Sequence, residues 1–189
     1  MDRLEEYARE NNIPIMQKDG ILFLKEYILK NKVKNILEIG TAIGYSAINM
    51  ALVSKNIKIV TIERDETRYD EAIKNVHDFG LEKQIEIILG DALEIEVHGT
   101  FDLIFIDAAK AQYIKFFEKY KYNLKSSGVI ISDNLNFHGL VFYPEKIKSK
   151  NLRALVNKIN NYREFLESNK EFTTKFLSIG DGIGISKKK

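Results

Sequence analysis

The sequence predicts a doubly wound α/β fold, with a mostly parallel sheet covered by helices on both faces and ending in an antiparallel hairpin. Three observations lead there. From residue 35 onward, short apolar runs alternate with helical patterns. The runs ILEI, IVTI, DLIFI and VIIS lack the polar alternation of a half-exposed strand, as expected of strands buried on both faces. And ILEIGTAIGYS, residues 36–46, passes from an apolar strand through a small-residue turn into a helix, the nucleotide-binding corner of such sheets.

The elements follow in order. Leu4–Glu10 is a short helical pattern, and Ile13–Met16 an extended apolar entry. Asp19 is positioned to cap a helix running to about Asn31, with Ile21, Leu22, Leu24, Ile28 and Leu29 on its buried side. These first 33 residues form a helical cap on a single domain spanning 1–189. Strand one is Asn35–Ile39, and its helix runs from Gly44 to about Val53. Strand two, Lys58–Ile62, leads to a helix over Glu66–Phe79 that stops at Gly80. Strand three is Ile85–Leu89. Strand four, Phe101–Ile106, precedes a helix near Ala111–Leu124, and strand five is Gly128–Ser132. A long helix covers roughly Lys150–Asn169. Phe172–Ser178 and Gly182–Ser186 then meet at Gly180-Asp181 as a hairpin, giving seven strands.

Composition excludes several classes. No apolar run approaches a membrane span, and MDRLEEYARENN lacks the basic start and apolar core of a secretory signal. Zero cysteines rule out disulfides and thiolate metal sites, which fits a cytoplasmic protein. The net charge of +2 is unevenly spread. Residues 146–189 carry 11 Lys/Arg against 4 Asp/Glu, a balance of +7, leaving −5 for residues 1–145. Such asymmetry fits either a polyanionic partner or a solvated helix with a lysine tail.

Glu38 stands where a dinucleotide loop has its first glycine, and a carboxylate there opposes a pyrophosphate. The position suits a ligand with positive charge and hydroxyls, such as S-adenosylmethionine with its sulfonium, ammonium and ribose. Glu63, after strand two, is placed to accept both ribose hydroxyls, and Asp91 in Gly90-Asp91-Ala92 to accept from the adenine amino group. Either acid alone fits a loop cap equally well; their coincidence with Gly40 and Gly44 favours the ligand. A dinucleotide dehydrogenase would also place Glu63 on a ribose, but His77, His98 and His138 form no hydride-transfer constellation.

Asp107 ends strand four in FIDAAKAQY, and Asp133-Asn134 ends strand five in VIISDN. Neighbouring strands lie about 4.8 Å apart, so their ends deliver these groups to one small volume. Two carboxylates and an amide oxygen suit a hard octahedral cation such as Mg²⁺. Paired helix caps are the alternative. Lys110, on the same rim, becomes a plausible general base, because a neighbouring cation favours neutral lysine. Tyr113, one helical turn on, is placed to position it or to pack against substrate.

Together ILEIGTAIGYS, Glu63, GDA, DAAKAQY and SDN resemble the cation-dependent O-methyltransferases, a family that includes catechol and caffeoyl-coenzyme A methyltransferases and bacterial relatives acting on tRNA. The resemblance runs from about Ile13 to the C-terminus. It implies a Rossmann-like methyltransferase fold and transfer of a methyl group from S-adenosylmethionine to a hydroxyl beside a second oxygen. It also implies a cofactor site of Met16, Glu38, Gly40, Thr41, Gly44, Tyr45, Ser46, Glu63, Arg64, Asp91, Ala92, Asp107 and Tyr113, with Mg²⁺ or Mn²⁺ on Asp107, Asp133 and Asn134. Relatives are often dimers, so a homodimer is expected, with Ile13–Met16 a possible contributor. The segments PIMQKDGILFL, NLNFHGLV and TTKFLSIGDGIGISKK look closest to the bacterial tRNA 5-hydroxyuridine methyltransferases, although His138 stands where Lys or Arg is commoner. This similarity, with basic Lys146, Lys148, Lys150 and Arg153 available for phosphates, favours a tRNA anticodon loop as partner, its wobble 5-hydroxyuridine becoming 5-methoxyuridine. Phe137 or Tyr143 is a candidate to stack on the base. A small catechol or phenol is the alternative acceptor. A catalytically silent RNA-binding protein of this fold is disfavoured by the complete metal triad and lysine.

Overall fold

In the computed structural model, which describes residues 1–189, strands β1 (Asn35–Ile39), β2 (Lys58–Glu63), β3 (Ile85–Leu89), β4 (Phe101–Ile106), β5 (Leu124–Ser132), β6 (Phe172–Leu177) and β7 (Ile183–Lys188) form one sheet. Their order is β3-β2-β1-β4-β5-β7-β6. The first five are parallel, and β7 pairs antiparallel with both β5 and β6. The expected sheet and its terminal hairpin are both present. The strand order reverses between β1 and β4, which opens a crevice beyond their carboxyl ends.

Successive strand residues serve opposite faces, so both sides of each central strand are apolar. Ile36, Leu103, Phe105, Val129 and Ile131 pack on one side with helices α1 (Asp2–Glu10), α2 (Lys18–Lys30) and α3 (Tyr45–Ala51). Leu37, Ile39, Ile104, Ile106 and Ile130 pack on the other with α5 (Tyr113–Tyr120) and α6 (Lys150–Glu167). That second layer is aromatic: Tyr162 meets Tyr113 edge-on at 5.2 Å, and Phe117 meets Phe172 at 5.0 Å. Helix α4 (Glu66–Asp78) follows β2, with Asp65 accepting from the Arg68 N–H as its cap. No helix is long and apolar enough to cross a membrane.

Several expectations need adjustment. Gln17, not Asp19, occupies the N-cap of α2, Asp19 lies inside the first turn, and Leu22 and Leu29 are exposed while Ile21, Leu24 and Ile28 form the buried face. β5 begins at Leu124, four residues early, because Leu124 pairs with Phe101 ahead of a register shift. The helix after β4 is broken into a 3₁₀ turn (Lys110–Gln112), α5 and a second 3₁₀ turn (Lys121–Asn123). Met16 of the Ile13–Met16 segment is buried in the core, with Ile13 and Ile15 packed against it.

Candidate active site

The crevice holds a cavity of about 360 Å³, within the range of small-molecule sites. One wall is the turn after β1. Gly40 adopts φ +101°, and a Cβ there would collide with the carbonyl oxygen of Asp107. The missing side chain therefore lets the end of β4 close on the end of β1, where the Asp107 N–H donates to the Ile39 carbonyl. Opposite, Glu63 ties the loops together: one carboxylate oxygen accepts from the Ala42 N–H at 2.8 Å, the other from the N–H groups of Arg64 and Asp65 at 3.0 Å. Asp91 accepts from the Leu93 N–H at 2.8 Å. Each carboxylate is thus fixed by backbone donors while still facing the cavity.

Met16, Gly40, Thr41, Tyr45, Ser46, Glu63, Arg64, Asp91, Ala92 and Asp107 all line this space, as do Lys110 and Asn134. Glu38, Gly44, Tyr113 and Asp133 do not. Glu38 requires a correction. It is fully buried behind the turn, where it accepts hydrogen bonds from Ser46 Oγ and, at 2.6 Å, from Thr61 Oγ1. Burial pushes its carboxyl up to about 8, and the nearby Asp107 and Glu63 charges add to that, against the pull of the two hydroxyls. Along β1 it shares a face with Ile36, towards α3, where Ser46 and Thr61 enclose it. Gly44 caps α3 at φ +83°. Pro14, Ile15, Arg68, Gln112 and Phe116 also line the cavity and were not expected. Arg68 lies in the first turn of α4, three residues past its Asp65 cap, and so faces the cavity beside Arg64 of the preceding loop.

At the rim, Lys110 Nζ donates to Asn134 Oδ1 at 2.5 Å and lies 3.4 Å from Asp107 Oδ1. The Tyr113 ring lies 5.7 Å from the ammonium, and its hydroxyl donates to the Asp133 carbonyl at 3.3 Å. Tyr113 is therefore a buried support for Lys110 and not a cavity wall. Asn134 holds φ +58°, a left-handed turn that asparagine tolerates. Asp133 is buried, and burial followed by the Asp107 charge pushes its carboxyl up, while the Asn134 N–H and Lys110 pull it down. Two neighbouring carboxylates, an amide oxygen, and an ammonium drawn between Asp107 and Asn134 make a donor set that fits a hard divalent cation. No three His, Cys, Asp or Glu side chains gather into a metal cluster, so the amide is needed to complete the set.

Of the expected basic contacts, Lys146, Lys148 and Lys150 are exposed. Arg153 is exposed as well, and donates through Nε and a terminal nitrogen to the Ile147 carbonyl at 3.1 and 2.6 Å.

A strand-order crevice with a cavity, and acids at the ends of β2 to β5, defines a ligand site of the open α/β class. The O-methyltransferase family model matches residues 1–189, and the chain belongs to that family. It is an S-adenosylmethionine-dependent O-methyltransferase. It is 30% identical to caffeoyl-CoA O-methyltransferase 2 of Populus trichocarpa over 193 residues, covering 94% of this chain and 76% of that one. A Staphylococcus aureus crystal structure assigned as a caffeoyl-CoA O-methyltransferase superposes with TM-score 0.96 at 44% identity, covering 100% and 91% of the two chains. The O-methyltransferase from Bacillus cereus in complex with SAH superposes with TM-score 0.84 at 27% identity, covering 100% and 90%.

Proposed function

We propose that this enzyme methylates 5-hydroxyuridine at the wobble position of tRNA, giving 5-methoxyuridine, with the help of a divalent cation. Asp107, Asp133 and Asn134 would hold Mg²⁺ or Mn²⁺, which when bound acidifies a hydroxyl chelated together with a neighbouring oxygen. The cavity whose walls carry Glu63 and Asp91 is the proposed cofactor site, a reading supported by the SAH bound in the Bacillus cereus relative. S-adenosylmethionine supplies the methyl group, the new O–C bond forming as the C–S bond breaks. The protein's part is to position and to move one proton. Glu63 and Asp91, fixed by backbone N–H groups, orient the nucleoside end of the cofactor through their free lone pairs. Lys110 Nζ, held by Asn134 and supported by Tyr113, takes the proton from the acceptor hydroxyl. Confining both reactants at the ends of β1, β4 and β5 supplies much of the acceleration.

The observation that carries the RNA reading lies just past Asn134. Phe142 and Tyr143 are more than half exposed, at 56% and 54%. Lys146 Nζ sits 4.2 Å over the Tyr143 ring, and the Arg163 guanidinium 5.7 Å from the Phe142 ring. Exposed aromatics among cations suit nucleobases and phosphates together. A second reading, methylation of a small phenolic, is favoured by the names of the relatives and needs the same chelating acceptor. The test is mass spectrometry of tRNA nucleosides from a strain lacking the gene. 5-Methoxyuridine should disappear and 5-hydroxyuridine accumulate; unchanged 5-methoxyuridine would defeat the RNA assignment, and turnover of caffeoyl-CoA or catechol alone would establish the second reading.

A further inference from the structure

Asp181 is a buried carboxylate for which the catalytic scheme has no use. Only 5% exposed, it sits in the turn joining β6 to β7, and accepts from the His138 backbone N–H at 2.5 Å. The same turn makes two further bonds to the loop after β5: the Asn136 N–H donates to the Asp181 carbonyl at 2.8 Å, and the Leu135 N–H to the Gly182 carbonyl at 2.9 Å. Gly182 itself, at φ +90°, leaves room for Asn136, whose backbone nitrogen would lie 2.7 Å from any Cβ placed there.

The loop so held is an unusual one. Asn134, Phe137, His138 and Gly139 all have positive φ, at 58°, 43°, 55° and 78°. Three of these are non-glycine residues in a conformation that costs about 1–3 kcal/mol each, and such a path persists only where its surroundings over-determine it. Asn134 opens this loop, and its amide oxygen is the one bonded to Lys110. The Asp181 charge is also close enough to bear on Asp133.

We propose that Asp181 is a positioning residue for the catalytic centre: by clamping the left-handed loop through the His138 N–H, it fixes Asn134 beside Asp107 and Lys110. It acts through Asn134 and touches no reactant. The inference rests on the reading of Asn134 as part of a cation site, and the experiment separates the two. Mn²⁺ and SAH are titrated separately by calorimetry into the wild-type protein, Asp181→Ala and Asp181→Asn. Asparagine retains an oxygen for the His138 N–H, whereas alanine leaves that donor unmatched.

The expected result is that Asp181→Ala weakens Mn²⁺ binding about 10–100-fold, as loss of an outer partner of a metal ligand typically does. SAH affinity stays at the wild-type value, and Asp181→Asn recovers most of the Mn²⁺ affinity. Unchanged Mn²⁺ affinity in Asp181→Ala overturns the proposal, and so does a parallel loss of SAH affinity, which would signify general destabilisation. Should the wild-type protein bind no Mn²⁺, the cation reading itself fails, and hydrogen exchange decides the clamp. Faster exchange in Asp181→Ala confined to residues 134–143 supports it; exchange that spreads to residues 36–46, or none, overturns it.

Discussion

Replacing Glu38 by glutamine tests whether burial behind the turn keeps its carboxyl protonated at neutral pH. Glutamine keeps the size of the side chain and the donor-plus-acceptor character of the protonated acid. In the folded protein the carboxyl is raised from 4.5 to about 8, first by burial and further by Asp107 and Glu63. Below pH 4.5 both folded and unfolded chains carry the proton; above 8 both have lost it. Between those limits the folded state holds one proton more, so the wild type loses stability as pH rises, by about 1.4 kcal/mol per pH unit. The glutamine variant lacks this contribution, and other titrations cancel in the difference between the two proteins. Urea unfolding of both proteins across that window gives the difference directly. It should move against the wild type with rising pH, by a total on the order of 5 kcal/mol. A difference that is flat, or that rises with pH, would refute the buried-proton account.

Further outcomes follow from the rim and the turn. Lys110→Gln should lower kcat by about 10²-fold or more, while calorimetry shows SAH affinity retained and Mn²⁺ affinity no weaker, since the competing ammonium is gone. Gly40→Ala should abolish SAH binding and lower the melting temperature, because the added methyl meets the Asp107 carbonyl and the φ of +101° is strained for alanine. Tyr143→Ala should weaken tRNA binding by about 1–3 kcal/mol, the worth of one stacked base, in a filter-binding assay. Turnover of a free catechol should then be unaltered; equal losses for both acceptors would argue against a base platform.

The fold was legible because the central strands are buried on both faces, so ILEI and DLIFI could be little else than inner strands. Asp107, Asp133, Asn134 and Lys110 were legible for a related reason: strand ends that must be neighbours carry unusual polar residues. What eluded the sequence was orientation and long-range contact. Glu38 was placed in the ligand site, although parity with Ile36 turns it to the helix side. The start of β5 depended on pairing with Phe101, a partner 23 residues away. The Arg153 guanidinium holds the Ile147 carbonyl, a bond that no local pattern announces. Asp181 lies 43 residues from the amide it fixes, and nothing in GDG by itself points there.

The most direct measurement is methyl transfer from labelled S-adenosylmethionine to tRNA bearing 5-hydroxyuridine, with and without EDTA, followed by nucleoside mass spectrometry. The account predicts 5-methoxyuridine in the presence of Mg²⁺ or Mn²⁺, its loss with EDTA, and its recovery when the cation is restored. Transfer that ignores EDTA would contradict the cation site at Asp107, Asp133 and Asn134, and a protein that methylates catechol but leaves this tRNA untouched would contradict the acceptor.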